Sequence, residues 1–345
     1  MYSKLEIMIK QNKKILIIRC GLLGDTVDAT SVVDPLLEHY GNEVDIHWVT
    51  KPGISKLFSE DPRIIKTFEL KHTKLPLLLN KDKLKILIES LRNPYDLILN
   101  LEIGKKFNDV VRFTRAQYKI GMPYEYIKDD IFKEHRVKHQ LRILNKFINN
   151  YNEQKAIPSI VGCDADALKK KFSINNQYIV LCPTNSHIDN ENHRGYRSWP
   201  KDKWIDLIEI ILRETNLDIY LAGSSNEQNY FREFHPLDKR VKDISGLTTI
   251  PELISMMKNA HYVVATDSGS AHVAGAVCKN IVCIHGPTNH YQSSPYQTYK
   301  NNVKVATLGL ECSPCYDTDI IKKCQKNICM HDLSADLVFN LINEF

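Results

Sequence analysis

Short apolar runs rich in Ile, Leu and Val alternate with helical patterns along this chain, and the pattern starts a second time past its middle. In the first half, Ile15 to Ile18 leads into a glycine-punctuated loop and then a helical pattern through Leu36 and Leu37 that stops at Gly41. The strand-like segments VDIHWVT, IIKTFEL, YDLILNLE and AQYKIGM follow, with KDKLKILIESLRN and VKHQLRILNKFINNY reading as helices between or after them. Adjacent parallel strands need a crossover, usually a helix, so this alternation calls for a parallel sheet covered by helices.

The composition shifts at NNYNEQKAIPSIVGCDADALKKKF, after which YIVLCPT, WIDLIEIILRET, LDIYLAG, IPELISMMKNA, YVVATDSG and NIVCIHG repeat the alternation. The expected fold class is α/β, with two Rossmann-like domains, residues 1–160 and 161–345, facing each other across a central cleft. The halves share an architecture without a repeat period, which excludes a solenoid. Ligands of open α/β sheets sit beyond the carboxyl ends of the strands, so the cleft is where a site is expected.

With 345 residues, 43% of them hydrophobic and 25% charged, the chain can bury a sizeable core. No apolar run approaches the roughly 18 residues of a membrane span, and Met1 to Asn12 is too polar for a signal peptide, so the chain is expected to stay in the cytoplasm. The net charge of +5 is a mild excess that fits nucleic acid, a membrane surface or an anionic substrate equally. Nine cysteines in a long chain without a secretion signal read as thiols or a metal site ahead of disulfides.

The loops carry the chemistry. In RCGLLGDTVD, Gly21 and Gly24 let the backbone turn after the strand, and Asp25 falls at the helix start. There it reads either as a helix cap or as a general base, with Asp28 one turn on as a second carboxylate. GLLGD lacks the G-x-G-x-x-G spacing of a dinucleotide site and the Lys and Ser/Thr of a P-loop, so nicotinamide and ATP-hydrolysis chemistry are not supported. In VVATDSGSAH a strand hands over to a helix whose first amides, from Ser268 to Ala271, can hold phosphate oxygens. Asp267 there can accept hydrogen bonds from sugar hydroxyls, Gly269 allows close backbone approach, and His272 follows; capping and packing are the competing roles. Thr184 and Asn185 follow another strand, Arg197 precedes a Trp-Pro helix start where it can neutralise a pyrophosphate, and Glu227 is a candidate hydroxyl acceptor that reads equally as a first-turn glutamate. Trp199 and Trp204 read as packing residues.

Near the C-terminus, Cys312, Cys315, Cys324 and Cys329 follow a C-x2-C-x8-C-x4-C spacing. Their number suits a structural zinc or iron, and free or reversibly oxidised thiols are the alternative. Four thiolates leave no open position, so neither reading makes this a catalytic metal.

Taken together, ILIIRCGLLGDTVDATSVVDPL, YDLILNLE, AQYKIGM, RSWPKDKW, DIYLAGSSNEQ, ISGLTTIPELISMMKNAHYVVATDSGSAHVAGAV and CIHGPTN resemble, in order, segments of glycosyltransferase family 9, the ADP-heptose:lipopolysaccharide heptosyltransferases. The resemblance covers nearly the whole chain, with D-[ST]-G-x-x-H its most specific part; the loop NSHIDNENHRGY is longer than usual. It implies a GT-B fold and inverting transfer from a nucleotide-diphosphate heptose without catalytic metal or other cofactor. Under it Asp25 matches the base, Arg197 the basic residue before Trp, and Asp267, Ser268, Gly269 and His272 the donor-binding motif, with Thr184, Asn185 and Glu227 aligned to donor contacts. The implied partners are ADP-heptose and a lipid-linked saccharide acceptor of the lipopolysaccharide inner core, met through peripheral contact with the inner membrane, and no nucleic acid. A protein acceptor is the alternative, because a subgroup that glycosylates autotransporters holds iron with similar cysteines. A GT-B-like sugar-nucleotide epimerase is a more distant one, and a sugar-nucleotide-binding module the non-enzymatic one. No sequence feature specifies the oligomeric state.

Overall fold

The computed structural model describes residues 12–41, 43–71, 75, 77–125, 134–185, 195–234, 238–316 and 318–345. In the first half, β1 (Lys13–Ile18), β2 (Val44–Thr50), β3 (Ile64–Glu69), β4 (Tyr95–Asn100) and β5 (Ala116–Gly121) form one sheet in the order β3-β2-β1-β4-β5. Every pairing in it is parallel. In the second half, β6 (Tyr178–Cys182), β7 (Asp218–Leu221), β8 (Val241–Asp243), β9 (Tyr262–Thr266), β10 (Asn280–Ile284) and β11 (Asn302–Ala306) form another, ordered β11-β10-β9-β6-β7-β8 and again parallel throughout. This is the doubly wound order of a Rossmann sheet, and the two sheets give the GT-B architecture.

The central strands are buried on both faces, as a parallel sheet requires: Ile15 to Ile18 on β1 and Ile179 to Leu181 on β6 are fully enclosed. The strand order reverses between β1 and β4 in one sheet and between β6 and β9 in the other, so the loops after β1 and β9 sit at switch points, where ligands are bound. Those are the loops that carry Asp25 and Asp267.

The helical pattern after β1 is broken where one continuous helix is expected. It folds as Leu23–Ala29, a tight turn Thr30–Val32, and Val33–Tyr40. Pro35 explains the break, because its ring displaces the carbonyl four residues earlier and it has no N–H to give. Gly41, with φ of 68°, ends the second piece in the left-handed conformation. The helix expected from VKHQLRILNKFINNY spans only Arg136–Leu144.

One apolar cluster runs through both halves, from Ile15 and Val27 in the first to Ala271 and Val273 in the second. Trp199 and Trp204 are buried against each other edge to face, with centroids 5.0 Å apart, which is the packing role expected of them.

Candidate active site

The end of β1 delivers Arg19, whose buried guanidinium donates to Asp25 Oδ1 at 2.9 Å and to the Leu101 carbonyl at 3.3 Å. Arg136, at the start of the Arg136–Leu144 helix, donates to the same Asp25 oxygen at 2.9 Å. The other oxygen, Oδ2, accepts the Leu22 amide at 3.2 Å. Asp25 therefore closes the first turn of its helix with one oxygen, as a capping residue would, and meets two cations with the other. Burial opposes its ionisation, but the Arg19 and Arg136 charges and the Leu22 amide outweigh it and hold the carboxyl below its ordinary value. Gly21 is needed for a reason other than turning: a Cβ there would lie 2.5 Å from that of Asp25.

Asp267 follows β9 and is buried. Its Oδ2 lies 3.1 Å from Arg197 Nε, and Arg197 Nη2 donates to the Asp267 carbonyl. Burial raises its pKa, while His285, Arg197 and the Thr288 hydroxyl lower it, and the net direction is downward. His285 is itself pushed down to about 4 by burial, so at neutral pH it is uncharged and Arg197 supplies the favourable charge. Ser268 caps the Gly269–Val277 helix by position only. Its hydroxyl is buried without a hydrogen-bond partner among the described residues.

The two loops meet because two glycines allow it. A Cβ on Gly24 would stand 2.6 Å from His272 Cδ2, and one on Gly269 would stand 3.1 Å from Leu23 Cβ. Gly24 and Gly269 thus serve the contact between the halves, where the sequence suggests a tight turn at Gly24. His272 crosses this contact, its Nδ1 3.0 Å from Asp28 Oδ1.

A cleft of about 460 Å³ lies over this junction, lined by Asp25, Arg136, Arg197, Asp267, Ser268, Gly269 and His272 among others. It joins an ionised carboxylate and Arg136 from one half to Arg197, an unpaired hydroxyl and the first-turn amides of a helix from the other. Such a cleft can take a proton from a hydroxyl and hold an anion beside it. Thr184, Asn185 and Glu227 are not among its lining residues. Asn185 donates to the Ser198 hydroxyl at 3.0 Å, Thr184 gives its carbonyl to the Thr266 hydroxyl at 3.2 Å, and Glu227 accepts the Ser224 amide at 2.6 Å, closing its own turn. Most of NSHIDNENHRGY lies outside the described residues.

The sequence reading passes over Arg19, Arg136, Thr288, Asn289 and Tyr316. Thr288 and Asn289 are the last two residues of the CIHGPTN motif, and their position just past a strand is a usable signal; Arg136 has none, because its partner is 111 residues away. Tyr316 belongs to the cysteine segment, which docks on the loop after β10 through Cys315 and Tyr316 amides donating to the Pro287 carbonyl at 2.8 and 2.9 Å. Pro314, Tyr316 and Thr318 thereby wall the cleft, and the Tyr316 ring lies 5.7 Å from the Arg197 guanidinium carbon. Burial, with the neighbouring thiols adding to it, pushes Cys329 up to about 11. Among the described residues no three ligating side chains are grouped so as to hold a metal ion, although Cys312, Cys315 and Cys324 all lie near enough to Cys329 to act on its thiol.

The profile of glycosyltransferase family 9 (heptosyltransferase) matches residues 85–325. Lipopolysaccharide heptosyltransferase 1 of Campylobacter coli is 23% identical over 96% of this chain and 98% of its own. Among solved structures, the ADP-heptose lipopolysaccharide heptosyltransferase II of Escherichia coli superposes with a TM-score of 0.74 at 17% identity, covering 96% of this chain and 98% of that one. The iron-containing dodecameric glycosyltransferase TibC of enterotoxigenic Escherichia coli is similar with a TM-score of 0.57 at 12% identity, covering 97% of this chain and 76% of that one.

Proposed function

Since the chain belongs to glycosyltransferase family 9, the heptosyltransferases, we propose that it transfers heptose from ADP-heptose, with inversion, to a hydroxyl of the lipopolysaccharide inner core. One observation carries this reading: Asp25, ionised between two arginines, shares a single cleft with the amide end of the Gly269–Val277 helix and Arg197. In the reaction the acceptor hydroxyl attacks the anomeric carbon from the face opposite ADP, and Asp25 takes its proton. One displacement inverts the centre. Asp25 is a weak base because of Arg19 and Arg136, so it accepts the proton late, once the attacking oxygen has begun to bond to carbon.

The half that contains residues 1–160 then binds the acceptor, and residues 161–345 bind the nucleotide sugar. The leaving diphosphate is met by first-turn amides, the Ser268 hydroxyl and Arg197, and each such preorganised donor typically contributes about 3 to 4 kcal/mol. Arg197 is already paired with Asp267, so the diphosphate would share that cation while Asp267 accepts sugar hydroxyls. With these groups supplying the charge, the proposal needs no divalent ion and no other cofactor. A structural zinc or iron on Cys312, Cys315, Cys324 and Cys329 would stand outside this chemistry, since four thiolates leave no open position.

A lipid-linked acceptor fits the surface. Leu75, Leu78 and Leu79 are 48, 75 and 69% exposed, and Ile88 and Leu91 stand out from the Lys81–Arg92 helix that follows. Lys81, Lys85 and Arg92 are exposed on the same helix, and this mixture suits an anionic membrane surface. No helix among the described residues is long and apolar enough to cross a membrane, so the contact would be peripheral, on the cytoplasmic face of the inner membrane. The test is ADP release from ADP-heptose with Kdo-lipid A, heptosylated core and autotransporter protein as acceptors. Release dependent on the saccharide acceptors is expected; release dependent on the protein alone would replace the acceptor named above.

A further inference from the structure

The Leu23–Ala29 helix carries a second carboxylate, Asp28, which the reaction above does not use. It is 1% exposed, its Oδ1 lies 3.0 Å from His272 Nδ1 in the other half, and its Oδ2 is buried without a hydrogen-bond partner among the described residues. A buried carboxylate satisfied on one oxygen only is poor structural glue, because apolar side chains of the same volume would hold two helices at least as well. The imidazole is used on one side as well. Nδ1 is engaged, no described residue hydrogen-bonds Nε2, and the ring lines the cleft.

Resting on the reading above, we propose that Asp28 is a positioning residue: it fixes His272 through Nδ1 and keeps the ring an imidazolium whose Nε2–H meets the leaving diphosphate. As the anomeric C–O bond breaks, its electron pair leaves with ADP and negative charge grows on the diphosphate. The acceptor proton goes to Asp25, and the His272 proton stays on the ring as a hydrogen-bond donor, so no further proton moves. A neutral ring with Nδ1–H on Asp28 would instead turn a lone pair toward the phosphate.

The surrounding charges support this state. Burial disfavours the charged ring, yet Asp28 outweighs it, Asp267 adds to it and Arg136 opposes it, and His272 is held above its ordinary value. Asp25 on the Asp28 helix, His135 beside Arg136, and His285 beyond β10 are the remaining groups that sense His272. A group with a raised pKa keeps its proton further into the alkaline range. The transfer rate should therefore fall as pH rises through the His272 pKa, and Asp28 sets where that happens.

The experiment is the pH profile of kcat for wild type and Asp28→Asn at saturating ADP-heptose, with ADP affinity measured alongside. Asparagine keeps an oxygen for Nδ1–H and removes only the charge. The alkaline limb should move down by about one pH unit or more, so that the variant is roughly tenfold slower near pH 8 and recovers toward wild type near pH 6. A loss of equal size at every pH, or an unmoved limb, would overturn the proposal. A second measurement needs neither a folded variant nor heptose transfer: in wild type labelled with 15N-histidine, ADP alone should shift the Nε2 resonance of His272. If that resonance ignores ADP in protein that binds it, His272 does not meet the diphosphate. If it responds while no acceptor is glycosylated, the heptosyl-transfer reading fails instead.

Discussion

Asp25 has two jobs that pull its chemistry in opposite directions. Its pairing with Arg19 and Arg136 keeps it ionised and also makes it a poorer base, and both follow from charges within 2.9 Å. With Asp25 as the proposed base acting on the acceptor, Asp25→Asn should lower kcat by about two orders of magnitude or more while ADP-heptose affinity changes little. Near wild-type turnover in a folded variant would remove Asp25 from the mechanism. The pH dependence gives a separate check. A carboxylate whose pKa is depressed by two cations protonates only at low pH, and removing one cation raises the pH at which it does so. Arg136→Gln should therefore move the acid limb of kcat/KM upward, and a limb that stays in place would mean that Arg136 does not act through Asp25.

At the scale of elements, the contact between the Leu23–Ala29 and Gly269–Val277 helices decides whether the cleft exists. Gly24→Ala would place a methyl 2.6 Å from a His272 ring that Asp28 already holds, and neither buried partner can step aside cheaply. Overpacking of this kind costs about 1 to 3 kcal/mol, so thermal unfolding should shift down by several degrees and turnover should fall with it. An unchanged melting temperature and rate would show that the helices part easily. The same contact shows what could be read in the sequence. Strand and helix alternation, the two sheets and the strand-end placement of Asp25 and Asp267 were legible because they are local patterns. The pairing of Asp28 with His272 and of Arg136 with Asp25 was not, because each joins residues more than a hundred positions apart. Pro35, in the first turn of the second helix, signals the break at Thr30–Val32 locally, but the apolar pattern on either side of it reads as continuous. The cysteine spacing suggested a structural metal or free thiols and gave no sign that the same segment presents Pro314, Tyr316 and Thr318 to the cleft.

For the whole molecule, the two halves bring together groups that neither holds alone, and the outer face of the first carries leucines and lysines that suit a lipid surface. The protein should bind vesicles containing anionic phosphatidylglycerol more than neutral phosphatidylcholine ones, and lose that preference with added salt. Leu78→Ser with Leu79→Ser should weaken vesicle binding and transfer to membrane-embedded acceptor while sparing a deacylated one; equal loss on both acceptors would place these leucines in folding. The central claim, that the cleft between the halves carries out inverting heptosyl transfer, is tested most directly by the anomeric configuration of the product. The protein is incubated with ADP-heptose and deacylated inner-core acceptor, and the new glycosidic linkage is assigned by NMR. A linkage of configuration opposite to that of the donor is expected, formed at the same rate with or without EDTA. A linkage that retains the donor configuration, or no linkage from folded protein that binds ADP-heptose, would contradict the account.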